Sequence, residues 1–80
     1  MSAAEAQEAR SLLLRSNEEY RQLAERHHEL DHRLHELIDK HYLSDSERLE
    51  ETTIKKRKLA LKDQMERIAR DYLRVRHGAS

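Results

Sequence analysis

"HYLSDSERLE", residues 41–50, is where the sequence signals a change of chain direction. Ser44 is followed three residues later by Glu47, the spacing of a capping box. In that motif the serine hydroxyl accepts the N–H of the third helical residue, and the glutamate accepts the N–H of the serine. Asp45 and Ser46 are also competent N-caps. The pattern predicts a turn over about 42–45 and a helix that begins near Ser46 and runs to about His77, stopped by Gly78. Upstream, Ala, Glu, Arg, Leu and Gln dominate from about Ala3 to Tyr42, all good helix formers. A single first helix is expected over about 3–42, with residues 1–10 fraying at its start.

The rest of the composition agrees with helices. The chain has 80 residues, one glycine and no proline, too few turn residues for a sheet. Hydrophobic residues make up 36% and charged residues 40%. A disordered chain could share that balance, but here the apolar residues recur at helical spacing. In the first helix Leu13, Tyr20, His27, Leu34 and His41 take one core position of a heptad seam. Ser16, Leu23, Leu30 and Leu37 take the other. In the second helix the stripe reads Ile54, Lys58, Leu61, Met65, Ile68, Tyr72 and Val75, widened by Leu49, Leu59 and Leu73.

The fold class read from this is all-α: residues 11–77 as an antiparallel, coiled-coil-like two-helix hairpin. At ~1.5 Å per residue the first helix is about 60 Å long and overhangs the second. A lone hairpin buries little, and chains this small need a further staple. With no cysteine for a disulfide, the staple expected is a homodimer that forms a four-helix bundle. The triplet Leu12, Leu13 and Leu14 would close the open end against Tyr72, Leu73 and Val75 rather than form a docking patch.

Charge excludes some partners. Sixteen basic and sixteen acidic residues give a formal net charge of +0, so nothing global draws the chain to nucleic acid or an anionic membrane. No apolar run approaches the ~20 residues of a membrane span. The start "MSAAEAQEAR" lacks the basic-then-apolar pattern of a signal peptide. A cytoplasmic location is expected.

Two segments invite sharper readings. His28-Glu29-Leu30-Asp31-His32 matches H-E-x-x-H, the zinc-protease pattern. In the seam register, however, His28, His32 and His35 fall on the solvated face. A protease needs a third ligand and a walled cleft, which a helix's outer face does not supply. No metal, no cofactor and no catalytic residue is therefore assigned. His27 and His41 occupy seam positions, where they would bond across the bundle; a pH-sensitive assembly is the sharper alternative.

The other segment is "IKKRKLALKD", residues 54–63, with Lys55, Lys56, Arg57, Lys58 and Lys62 on about two turns. It could form a phosphate-binding patch. No aromatic residue lies among the cations to stack a base, and acidic residues on the neighbouring helix stand ready to pair. In antiparallel register Lys58 or Arg57 would meet Asp31.

"HHELDHRLHEL" followed by "IKKRKLALKDQMERI" resembles the YdcH-like family of small bacterial proteins. The first part matches at His27, Leu30, Asp31, Leu34 and Leu37. The second matches at Lys55, Lys56, Lys58, Leu59, Leu61, Lys62 and Asp63, with Ile54 where the family usually has leucine. The similarity spans roughly Leu23 to Tyr72. It implies a self-associating helical hairpin from a bacterium and no activity, since that family's function is unknown. The function expected is thus that of a non-enzymatic interaction or structural protein that pairs with itself or docks a partner helix. It would take no small-molecule substrate. The alternative is a nucleic-acid-associated regulator that uses Lys55 to Lys62.

Overall fold

The capping box forms as the spacing predicts. Ser44 N–H donates to Glu47 Oε1 at 3.0 Å, and Glu47 N–H donates to Ser44 Oγ at 3.2 Å. These bonds open the longest helix in a computed structural model that describes residues 2–76 and 78. All regular structure among those residues is helical: α1 spans Ala3–Ser16, α2 Glu18–Ile38 and α3 Asp45–Arg76. Gly78 sits just past α3 at φ +63°, in the left-handed region that a side chain disfavours, and its N–H reaches Val75 O at 3.1 Å. His77, the expected end of the second helix, lies outside the described residues.

The expected helix over 3–42 is in fact two. Asn17 takes φ −115° and ψ 112°, an extended conformation that ends α1. Its side-chain Oδ1 then accepts Tyr20 N–H at 2.8 Å and so caps α2, whose first turn carries Glu18 and Glu19. Both terms favour a helix start, because they satisfy an orphan N–H and place negative charge at the positive end of the helix dipole. Residues 3–10, expected as a fraying start, form the first turns of α1, capped by Ser2 Oγ accepting Glu5 N–H. Nor does α2 reach Tyr42. It ends at Ile38, with Asp39 as its C-cap, and residues 39–44 make the connection to α3.

α2 and α3 run antiparallel. Three side-chain pairs show it: Lys40–Glu47 near the connection, then Arg33–Glu50, then Lys58–Asp31 farther along. α1 contacts both of them and does not overhang. The longest dimension is 53 Å, close to the ~48 Å that 32 helical residues occupy by themselves.

The core divides into two clusters. Near the connection, Leu34, Leu37 and Ile54 are buried, with Leu30 and Leu43 packed against them. At the far end Leu13, Tyr20 and Ala69 are buried against Met65, Ile68 and Tyr72. Leu13 is 4% exposed, so it closes that end; Leu14, its neighbour, is 42% exposed and does not. Between the clusters the seam is more polar, with His27 and Lys58 only half-buried.

Candidate functional site

The side on which α1 lies is fixed by what lines its groove. Ala6 and Arg10 of α1 share a groove of about 730 Å³ with Tyr20, His27, Lys58 and Lys62. The opposite side of the α2–α3 seam is open. There a groove of about 340 Å³ has Leu30 and Leu61 on its floor and Arg26, Glu29 and Arg57 around it. It continues toward the connection as a second groove of about 390 Å³ that shares Leu30 and Arg57 and adds Leu49 and Thr53.

α1 also shifts the buried stripe of α3. Sequence spacing places Ile54, Leu61, Met65, Ile68, Tyr72 and Val75 on the seam. Ile54 is buried; Leu61, Met65, Ile68 and Tyr72 are half-buried. Val75 is 75% exposed, and Ala69 and Leu73 are buried in its stead. The cause is geometric: α1 covers one flank of α3, so burial turns toward that flank and leaves the other uncovered. Leu61, Ile68 and Val75 lie seven residues apart on one stripe of α3: Leu61 lines the open-side groove, Ile68 packs against the Leu13 cluster, and Val75 is exposed. On α1 and α2, Leu13, Tyr20, Leu23, Leu34 and Leu37 are buried, and His27 and Leu30 are half-buried. His41, given a seam position by heptad counting, is exposed in the connection, because the helix that would carry it has already ended.

One ion pair flanks each side of the seam. Arg33 donates through Nε to Glu50 Oε2 at 2.8 Å and through Nη2 to Glu50 Oε1 at 3.0 Å, a two-pronged pair on the open side. On the α1 side Lys58 bonds Asp31. Each pair perturbs its members. The hydrogen bond from Arg33 lowers the Glu50 pKa, and Glu50 raises that of Arg33. Lys58 lowers the Asp31 carboxyl below its ordinary value. Glu47, bonded by Lys40 and by the Ser44 backbone, is pulled down to about 2. Burial raises the Tyr20 phenol. The Arg33–Glu50 pair was not read from sequence, although both residues stand in view once the antiparallel register is drawn.

The histidine trio lies on the solvated face. His28, His32 and His35 are exposed. His35 Nδ1 sits 2.9 Å from Asp31 O and 3.5 Å from Asp31 Oδ2, and His32 Nε2 sits 3.8 Å from Glu36 Oε1. Asp31, the carboxylate nearest the trio, is engaged by Lys58. Among the described residues no group of three His, Asp or Glu side chains is placed to hold a metal ion.

The basic run is partly compensated within the chain. Lys58 pairs with Asp31, and Lys55 approaches Glu51 at 3.4 Å. Among the described residues Lys56, Arg57 and Lys62 make no ion pair. Lys58 and Lys62 reach the groove under α1, whereas Arg57 lines the open side, so the five cations do not form one surface. No described helix is long and apolar enough to cross a membrane.

A family model described as a protein of unknown function, DUF465, matches residues 21–69. That is more than half of the chain, and the chain belongs to this family. The match covers nearly all of α2 and most of α3, and it leaves α1 outside. No curated protein and no solved structure matches the chain.

Proposed function

We propose that this DUF465 protein is a non-enzymatic interaction module that self-associates as a homodimer through the side of the α2–α3 seam that α1 leaves open. The observation that carries this reading is the apolar lining of the open side, where half-buried Leu30 and Leu61 line the groove with exposed Leu49 beside them, and exposed Val75 lies farther along α3 at heptad spacing from Leu61. Leu49 is 69% and Val75 75% exposed. Scattered exposed leucines need no explanation, but an apolar stripe at heptad spacing beside a groove is a surface suited to another helix. Two α2–α3 pairs joined there make a four-helix bundle, with α1 a short cover on the outside of each half. The resemblance of residues 23–72 to YdcH-like hairpins falls on the same two helices. A partner helix of another protein is the second occupant the surface would suit.

The nucleic-acid reading ranks below this one because Lys55 and Lys58 are engaged inside the chain and Arg57 and Lys62 line grooves on opposite sides of the seam. Light scattering on a sizing column, with chelator present and protein concentration varied, tests the proposal. A mass of about twice 9.6 kDa supports it. A monomer at every concentration refutes self-association and leaves partner docking.

A further inference from the structure

The groove under α1 differs in character from the open side. It encloses about 730 Å³, within the ~300–1,000 Å³ of small-molecule sites. Its floor is apolar. Met65, Ala69 and Leu73 stand four residues apart on one face of α3, the last two buried and Met65 half-buried. Exposed Leu59 continues this floor toward the middle of the molecule. From Leu59 to Leu73 the apolar track runs ~21 Å along the helix.

Charged groups stand over that floor. Arg10, Lys58, Lys62 and Arg70 line the groove against a single acid, Glu66. Lys58 is engaged by Asp31. Among the described residues Arg10, Lys62 and Arg70 make no ion pair. Asp63 and Asp71 adjoin Lys62 and Arg70 in sequence, but neither lines the groove, and Asp71 bonds Arg74. With Asp31 set against Lys58 and Glu66 against one of the other three, two positive charges remain.

Tyr20 supplies an independent observation. It lines the groove and is 2% exposed. Among the described residues its hydroxyl makes no hydrogen bond, and the oxygen is not sealed off, since no enclosed side-chain oxygen or nitrogen is left without a partner. Buried phenols ordinarily find a partner. Burial acts most strongly on this phenol, followed by the charges of Arg10 and Glu66, so the hydroxyl sits among the charged groups of the groove. A donor without an acceptor, beside surplus cations and an apolar track, suits an anionic oxygen that carries a hydrocarbon chain.

We propose that the groove under α1 binds a fatty carboxylate. The chain lies on the apolar track, and the carboxylate sits between Arg10 and the Lys62–Arg70 row, accepting from the Tyr20 hydroxyl. Glu66, within that row, disfavours a doubly charged phosphate head by like-charge repulsion. The site lies across the seam from the self-association surface and does not depend on it. Ala6, Arg10, Tyr20, Arg70 and Leu73 fall outside residues 21–69, so the groove is built in part by what this chain adds to the segment the family model matches.

Calorimetric titration with sodium dodecanoate, kept below its micelle-forming concentration, tests the proposal. Saturable binding of one molecule per chain is expected. Octanoate, four methylenes shorter, should bind at least roughly tenfold more weakly. R10Q/R70Q should weaken dodecanoate binding by roughly tenfold or more, the worth of charge-assisted hydrogen bonds. R48Q/K56Q removes the same charge away from the groove and should leave binding near wild type. Y20F keeps the buried ring and removes only the hydroxyl. It should weaken binding about threefold or more, with the thermal midpoint near wild type, because that hydroxyl has no partner in the free protein. Far-UV circular dichroism at saturation checks that the helices persist. Absence of saturable binding overturns the proposal, as does equal loss in the two double variants or unchanged affinity in Y20F. Equally tight binding of dodecyltrimethylammonium overturns it too, by reducing the site to an unspecific apolar surface. Tighter binding of dodecyl phosphate than of dodecanoate overturns the assigned head group.

Discussion

Replacing Asn17 by alanine tests the three-helix arrangement most directly. Asn17 ends α1, caps α2 through Tyr20 N–H at 2.8 Å, and holds an extended backbone. Alanine removes the cap, at about 1 kcal/mol, and favours a continuous helix by about 0.6 kcal/mol of propensity. Opposing this, undocking α1 would expose Leu13 and Ala9, which are 4% and 0% exposed. Their burial stabilises by roughly 3 kcal/mol at 0.8 kcal/mol per buried methylene. The packing therefore wins, and N17A keeps α1 docked with about 1 kcal/mol less stability. For a domain of this size that lowers the thermal midpoint by roughly 4–8 °C, read by far-UV circular dichroism. Adding L13A removes most of the opposing burial. The double variant should then fuse α1 and α2 into one helix of about 54 Å, projecting beyond α3, and small-angle scattering should record a longer particle. An N17A midpoint at or above wild type would refute the role given to the cap. A double variant of unchanged length would refute the balance between cap and packing.

Leu13→Ala alone should cost about 2–4 kcal/mol in urea unfolding, within the range for a buried leucine, while Leu14→Ala should stay within about 0.5 kcal/mol. Acid should destabilise the protein through Glu47. Its folded pKa is depressed to about 2 from an ordinary 4.5, so its contribution is complete above that ordinary value and is lost as pH falls through about 2. E47Q should flatten the stability–pH curve in that window; an unchanged slope would remove Glu47 as its source. Asp31 and Glu50 are depressed too and act in the same direction. Reversing one member of the open-side pair, R33E, should lower the thermal midpoint, and the exchanged R33E/E50R should recover much of it. Recovery should shrink at high salt, since both groups are partly solvated.

Sequence made the connection legible because a capping box is local chemistry: two side chains and two N–H groups within four residues. It also made the Lys58–Asp31 pairing legible, since a turn near Ser44 fixes which residues oppose. Asn17 carried a signal of the same kind, an asparagine before two glutamates. A heptad count runs straight through such a residue, because one asparagine costs a helix only about 0.6 kcal/mol. What decided the break is tertiary. Folding back lets Ala9 and Leu13 bury against α2 and α3, and no local pattern records that gain. The same fold-back explains Val75. Spacing marks its stripe correctly, but which flank of a stripe is covered depends on where a third helix lies. His41 fails for a plainer reason: the helix ends three residues earlier without a glycine or proline to mark it.

The connection over residues 39–44 has a kinetic consequence. It reverses the chain in six residues, with no glycine, no proline and, among the described residues, no positive φ outside Gly78. Closing so short a loop takes on the order of 100 ns or less, and most contacts that follow zip outward from it or lie within a helix. With no proline anywhere in the chain there is no prolyl isomerisation to wait for, and with no cysteine no thiol exchange. The monomer should therefore refold in a single exponential faster than a few milliseconds, the connection end first and α1 last. Any slower phase would scale with protein concentration, marking the encounter of two chains.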